Sequence, residues 1–227
     1  MKVYKENIER FNKFYYSDFY KILEETEPDY IPAIFARLSE DPDACDPELY
    51  QELGEKFGLK ANKYCLNDNG IRLAADSICA RKPIYQFHKG EYEKWVRDYG
   101  KLRGNLDFHL VWPKHKLPTI NTYRYTIYRD RIDCLLYDLK MFFQGEKTPM
   151  NKAYVNGTTK EWLARFENFP DFVNKMQLNR FVDDHYNVYD ISKGQGKEII
   201  LECVLTVKEI KDNLPFYLNN LINNYFD

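Results

Sequence analysis

Apolar positions near the start of the chain recur with a helical period. Ile8, Phe11, Phe14, Tyr15, Phe19, Ile22 and Leu23 repeat at three- and four-residue spacing, which predicts an amphipathic helix over 4–26. Pro28 and Pro32 end it. An acidic run, SEDPDACDPELY, follows, and Asp46-Pro47 starts a second helix running to Gly54 or Phe57. Residues 61–70 read as a loop with a turn at Asn69-Gly70, and residues 71–79 fit a strand or a helix equally. A short helix over 90–99 closes at Gly100. The period then changes to two. Leu106, Phe108, Leu110 and Trp112 alternate with Asp107, His109 and Val111, as in a half-buried strand, until Pro113 stops it.

The longest apolar stripe comes next. Tyr128, Ile132, Leu135, Leu136, Leu139, Phe142 and Phe143 predict a helix over about 122–144, capped by Asn121 or Thr122 and closed by Gly145. Two short helices are expected near 158–167 and 170–178, with Thr158 or Thr159 capping the first. Near the end, YNVYDI and KEIILECVL flank SKGQGK and read as a β-hairpin. A last amphipathic helix covers about 207–225, kinked or broken at Pro215, so hairpin and helix together occupy 186–225. No repeat or long linker interrupts the chain. The expectation is one α+β domain over 1–227, mostly helical, with a small antiparallel sheet or hairpins.

Composition narrows the class. With 227 residues, 44% hydrophobic and 30% charged, the chain can bury a core and is neither a disordered tail nor a membrane protein. No apolar run approaches the roughly 20 residues of a membrane helix. The opening MKVYKENIERFNKF is charged from the start and lacks the apolar centre of a signal peptide, which predicts a cytoplasmic protein. The five cysteines, Cys45, Cys65, Cys79, Cys134 and Cys203, show no CxxC spacing and are expected to be buried free thiols. No metal and no cofactor is indicated. Asp183, Asp184 and His185 are the nearest approach to a ligand set, and a turn before the hairpin explains them better. His88 is expected at an exposed helix start, and no P-loop, GxSxG, HExxH or GxGxxG pattern occurs.

The net charge of −2 hides an asymmetry. Residues 81–131 hold twelve Lys/Arg and five acids, a local charge of +7, and three of the four histidines. A basic segment on an otherwise acidic chain suggests an anionic small molecule or nucleic acid as partner, or else acids elsewhere in the fold that pair with it. The chemistry concentrates in NLDFHLVWPKHKLPTINTYRYTIYRDRID, residues 105–133, where a strand hands over to a helix. Backbone N–H groups and the positive end of the helix dipole favour an anion there. Arg124, Tyr128 and Arg131 fall at i, i+4 and i+7, along one side of the helix, and with Lys114 and Asn121 form the candidate ligand-binding set. His109 and His115 are the catalytic candidates, a base and an acid for phosphodiester or phosphoryl chemistry. Asp107 is placed to orient His109, and Asp130, Asp133 and Trp112 are read as structural support. The bland alternative is structural: Arg131 borders the core stripe and pairs with Asp133, Asp107 or a carbonyl, and His109 is a satisfied half-buried histidine.

The same residues carry a resemblance. HLVWPKHKLPTIN, the following Arg, DRID and a helix ending FFQGEKTPM resemble a bacterial family of uncharacterised proteins. That family shares H-L-x-W-P-K-H, I-N-x-x-R, D-R-x-D and G-E-x-[ST]-P in this order, and FENFPDFV and FVDD look like its continuation. The resemblance spans about residues 70–190. Its pattern falls on His109, Trp112, Pro113, His115, Asn121, Arg124, Asp130, Arg131 and Asp133. It implies no activity. Where related sequences read DLTLE after the Asp-Arg pair, this chain reads DCLLY, with no carboxylate at the glutamate's place.

Two functions from different classes follow. In one, the 105–133 junction binds or acts on a phosphate-bearing ligand, a nucleotide or nucleic acid. In the other, the His/Arg/Asp cluster is structural and the chain is a non-enzymatic interaction or regulatory module with a protein partner.

Overall fold

The computed structural model describes residues 9–10, 12–27, 31, 47–63, 65–79, 91, 94, 97–98, 101–102, 104–114, 120–193, 198–200 and 207–226. Of Asn121 and Thr122 the backbone alone is described. His88, His115, Cys45, Cys203 and most of the helix expected over 90–99 lie outside the described residues.

The fold is α+β, as the patterning predicts. Helix α1 (Asp18–Thr26) and helix α2 (Pro47–Phe57) precede a four-stranded antiparallel sheet. Its strands are β1 (Lys60–Asn62), β2 (Cys65–Asp68), β3 (Ile71–Ser77) and β4 (His109–Pro113), in the order β1-β2-β3-β4. Helices α3 (Ile120–Tyr128), α4 (Ile132–Phe143), α5 (Asn151–Tyr154), α6 (Gly157–Leu163) and α7 (Phe169–Lys175) follow. A two-stranded ribbon of β5 (Tyr189–Asp190) and β6 (Glu198–Ile199) and the long helix α8 (Val207–Tyr225) complete the described chain. One hydrophobic cluster runs from Tyr20 to Leu221 and takes residues from both sheet and helices.

Five expectations are corrected, the fifth of them in strand β4. The first helix is not continuous over 4–26. The Ser17 hydroxyl donates to the Phe14 carbonyl and accepts from the Tyr20 N–H, ending one turn and capping the next. Residues 61–62 and 65–68 are strand rather than loop, because Cys65 and Leu66 are buried, while Asn69-Gly70, at φ 45° and 93°, makes the expected turn and joins β2 to β3 as a two-residue hairpin. The predicted helix over 122–144 is two helices, because Arg129 and Asp130 both take left-handed backbone, at φ 52° and 62°. Neither Thr158 nor Thr159 caps α6; Asn156 holds the cap position and both threonines lie inside the helix.

Other expectations hold. Helix α4 ends in a Schellman turn, with Gly145 N–H donating to Phe142 and Glu146 N–H to Met141. Its stripe is buried: Ile132, Leu135, Leu136 and Leu139 each expose 0%, and burial of a Leu or Ile contributes about 1.5–3 kcal/mol. Strand β4 is the fifth correction, being shorter than the alternation suggested. Leu106–Phe108 is a 3-10 turn held by Asn105, and every residue of β4 is buried, so His109 and Val111 do not face solvent. Helix α6 packs on β4 through an edge-to-face contact of Trp112 and Trp162. Pro215 sits inside α8 and does not end it.

Candidate functional site

The turn between α3 and α4 organises the junction. Arg124 looks inward from the last turns of α3 and is 1% exposed. Its Nε donates to Asp130 at 3.1 Å, and its Nη2 donates at 2.7 Å both to Asp76 and to the Ser77 carbonyl. The left-handed backbone at Asp130 turns that carboxylate back beneath Arg124, which ties the helix break to the ion pair. Asp76 reaches the pair from β3, where it stands across from Leu110 of β4.

One turn later, Arg131 exposes 0%. Its Nε and Nη2 make a two-pronged contact with Asp133 at 3.0 and 2.6 Å, and Nη2 also reaches Asp190 at 3.2 Å. Asp133 accepts as well from the N–H groups of Cys134 and Ile191. The guanidinium lies 5.2 Å from the centre of the Tyr217 ring, and the Tyr217 hydroxyl accepts from Ile132 N–H. Nη1 of Arg131 makes no hydrogen bond. Thus β3, α3, α4, the β5 strand and α8 all meet at two arginines.

The electrostatics follow from this packing. Burial works against the charge on Arg131, but Asp133 outweighs it and holds the guanidinium charged. Burial also pushes Asp190 up, yet hydrogen bonds from Ser192 and the charge of Arg131 win, and the carboxyl sits below the usual range. Asp76 is raised, since burial exceeds the pull of Arg124. Burial raises the Cys79 thiol and the Tyr217 phenol, each helped by a nearby acidic group.

The remaining candidates divide between the core and its rim. His109 is 4% exposed. Its Nδ1 is 3.1 Å from the Asn105 carbonyl, which can only accept, so Nδ1 carries a proton. Asp107 points elsewhere, to Lys56 at 2.8 Å and to Arg180, and the Lys56 hydrogen bond leads in holding its carboxyl low. Tyr128 donates to buried Asp138 at 2.5 Å. Trp112 is buried between Trp162 and Phe172. Lys114 is exposed at the end of β4, next to exposed Arg72, whose carbonyl accepts from Lys114 N–H. Cys65, Cys79 and Cys134 are buried cysteines outside any disulfide. His185 lies in a turn whose Asp183 carboxylate accepts from the N–H groups of His185 and Asn187. Among the described residues, no cluster of three His, Cys, Asp or Glu could hold a metal ion, and no helix is long and apolar enough to cross a membrane.

Asp76, Asp190 and Tyr217 were not singled out by sequence. They lie 48, 59 and 85 residues from the groups they meet. The one sequence signal for them is the acidic surplus outside the basic segment, since buried arginines require carboxylates from somewhere.

Neither the curated proteins nor the solved structures provide a match to this chain. A family model does match it, over residues 36–209, well beyond half of its length, and the chain belongs to that family, the family of unknown function DUF6994.

Proposed function

We propose that this protein is a non-enzymatic interaction module, in which the His/Arg/Asp cluster of residues 105–133 fastens the fold and a protein partner is met elsewhere. One observation carries the reading: Arg124 and Arg131 are buried, and each already lies between two carboxylates. The guanidinium charge of each arginine is thus already met inside the fold, at Asp190 with Lys193 as a further cation, so neither arginine is open to a phosphate. The proposed unit is the whole chain, 1–227, supported by the single cluster linking Tyr20 to Leu221. The proposed setting is the cytoplasm, supported by the three buried thiols.

A second reading is favoured by the exposed, adjacent cations Lys114 and Arg72. Here a phosphate-bearing ligand, a nucleotide or nucleic acid, would dock at the end of β4 near Asn121, with His109 and His115 as acid and base. Thermal unfolding with inorganic phosphate, nucleotides and short oligonucleotides separates the two. A ligand at about 100 times its dissociation constant adds about 2.7 kcal/mol. The interaction reading expects no shift. A shift abolished by Lys114→Ala plus Arg72→Ala would overturn it in favour of the ligand.

A further inference from the structure

The partner can be narrowed, on the strength of the interaction reading, from α1 and the turn before it. The large exposed hydrophobics among the described residues are Tyr15, Tyr16, Phe19, Ile22, Val155 and Phe216, and four of these six fall within eight positions. Phe19 and Ile22 are 58% and 57% exposed and sit one turn apart on α1. Tyr20, between them, is 6% exposed, so α1 already docks on the core by its other side. The rings of the segment join through Tyr20: Phe14 and Tyr15 lie 5.6 and 4.9 Å from it, Tyr15 meets Tyr16 edge-on at 5.1 Å, and Phe14 meets Phe19 at 6.2 Å. Apolar surface gathered in this way, rather than scattered singly, marks an interaction site.

Charge along the same segment identifies the occupant. Glu9, Arg10 and Lys13, together +1, precede the patch, while Glu24, Glu25 and Glu27, together −3, follow it with no basic residue in the last turn. At its centre Asp18 and Lys21 pair with each other at 3.3 Å. The patch therefore has a positive end and a negative end. A second copy laid antiparallel sets each positive end against the other's negative end, with Phe19 near the two-fold axis. A parallel copy would oppose like charges. We propose that the chain self-associates through this face, as an isologous antiparallel pair of Tyr16–Phe19–Ile22 surfaces. A small interface of this kind belongs with weak, reversible dimers, for which roughly micromolar affinity is the working range.

Sedimentation equilibrium of the full chain, over about 1–200 μM, tests this in the range given by that affinity. Wild type is expected to show a reversible monomer–dimer equilibrium. Phe19→Asp is expected to stay monomeric and to share the wild-type unfolding midpoint when both are compared below the dimerising concentrations. Lys13→Glu alone, and Glu24→Lys plus Glu25→Lys alone, should each dimerise at least several-fold more weakly. Mixing those two proteins should restore dimer, because the antiparallel arrangement then pairs opposite charges at both ends. A monomeric wild type, a dimer indifferent to Phe19→Asp, or no rescue on mixing would overturn the proposal. A monomeric wild type would leave the interaction reading standing, since that reading falls to the phosphate-ligand result instead.

Discussion

The arginine junction and the first helix use similar residues to opposite ends. At the junction, two arginines and three of their four carboxylates are drawn into the core, with Asp76 half-buried at its edge, and Arg131 and Asp133 expose nothing. On α1, aromatic and aliphatic side chains stand in solvent while their charged neighbours remain at the surface. Residue type alone would have reversed the two: arginines out to meet a ligand, aromatics in. Pairing decides. A charge is buried when its partner is supplied by the fold, and an apolar side chain stays exposed when its partner is not.

This contrast predicts a ladder of effects. The largest belongs to Asp133, which serves both prongs of Arg131 and two backbone N–H groups. Asp133→Ala strands a buried guanidinium and should cost about 3–5 kcal/mol in denaturant unfolding. Replacing the pair together, Arg131→Met with Asp133→Leu, should recover only part of that loss: the stranded guanidinium is gone and Asp190 keeps Lys193, but the Cys134 and Ile191 N–H groups lose their acceptor. Arg124→Lys comes next. A single ammonium cannot reproduce the fork to Asp130, Asp76 and the Ser77 carbonyl, so a loss of about 1–3 kcal/mol is expected by thermal unfolding.

Acid sensitivity is smaller and shared. Asp190 and Asp107 are both held below the ordinary carboxylate range. Their folded pKa lies under the unfolded value of about 3.9, so their stabilisation is present above that value and lost as pH falls through the lower one. A pH series of unfolding midpoints should show this acid limb, and Asp190→Asn should flatten it. At the bottom lie the surface changes. Asp107→Asn breaks a part-exposed contact worth below about 1 kcal/mol. Phe19→Asp should alter stability by no more than about 0.5 kcal/mol while abolishing self-association.

What could be read from the chain depended on range. The stripe of α4 and its Gly145 stop are local, and both stand where the pattern put them. The pairing of Arg131 with Asp133 is also local, two residues apart, and was one of the alternatives. The break at Arg129-Asp130 was hidden because it interrupts the helix between stripe residues Tyr128 and Ile132, and neither residue is a Gly or Pro. Its cause, Asp130 turning back to Arg124, is tertiary. Residues 61–70 looked like a loop because Asn and Asp dominate them, while the burial of Leu66 against Leu73 depends on a neighbouring strand. Asp76, Asp190 and Tyr217 reach the site from afar, so no spacing announces them.

The most direct measurement is urea denaturation of Arg131→Ala against wild type at matched protein concentration. If Arg131 fastens the core, as its contacts with Asp133, Asp190 and Tyr217 indicate, the variant loses about 3–5 kcal/mol. A variant within about 0.5 kcal/mol of wild type would contradict a structural junction and return Arg131 to the ligand-binding set.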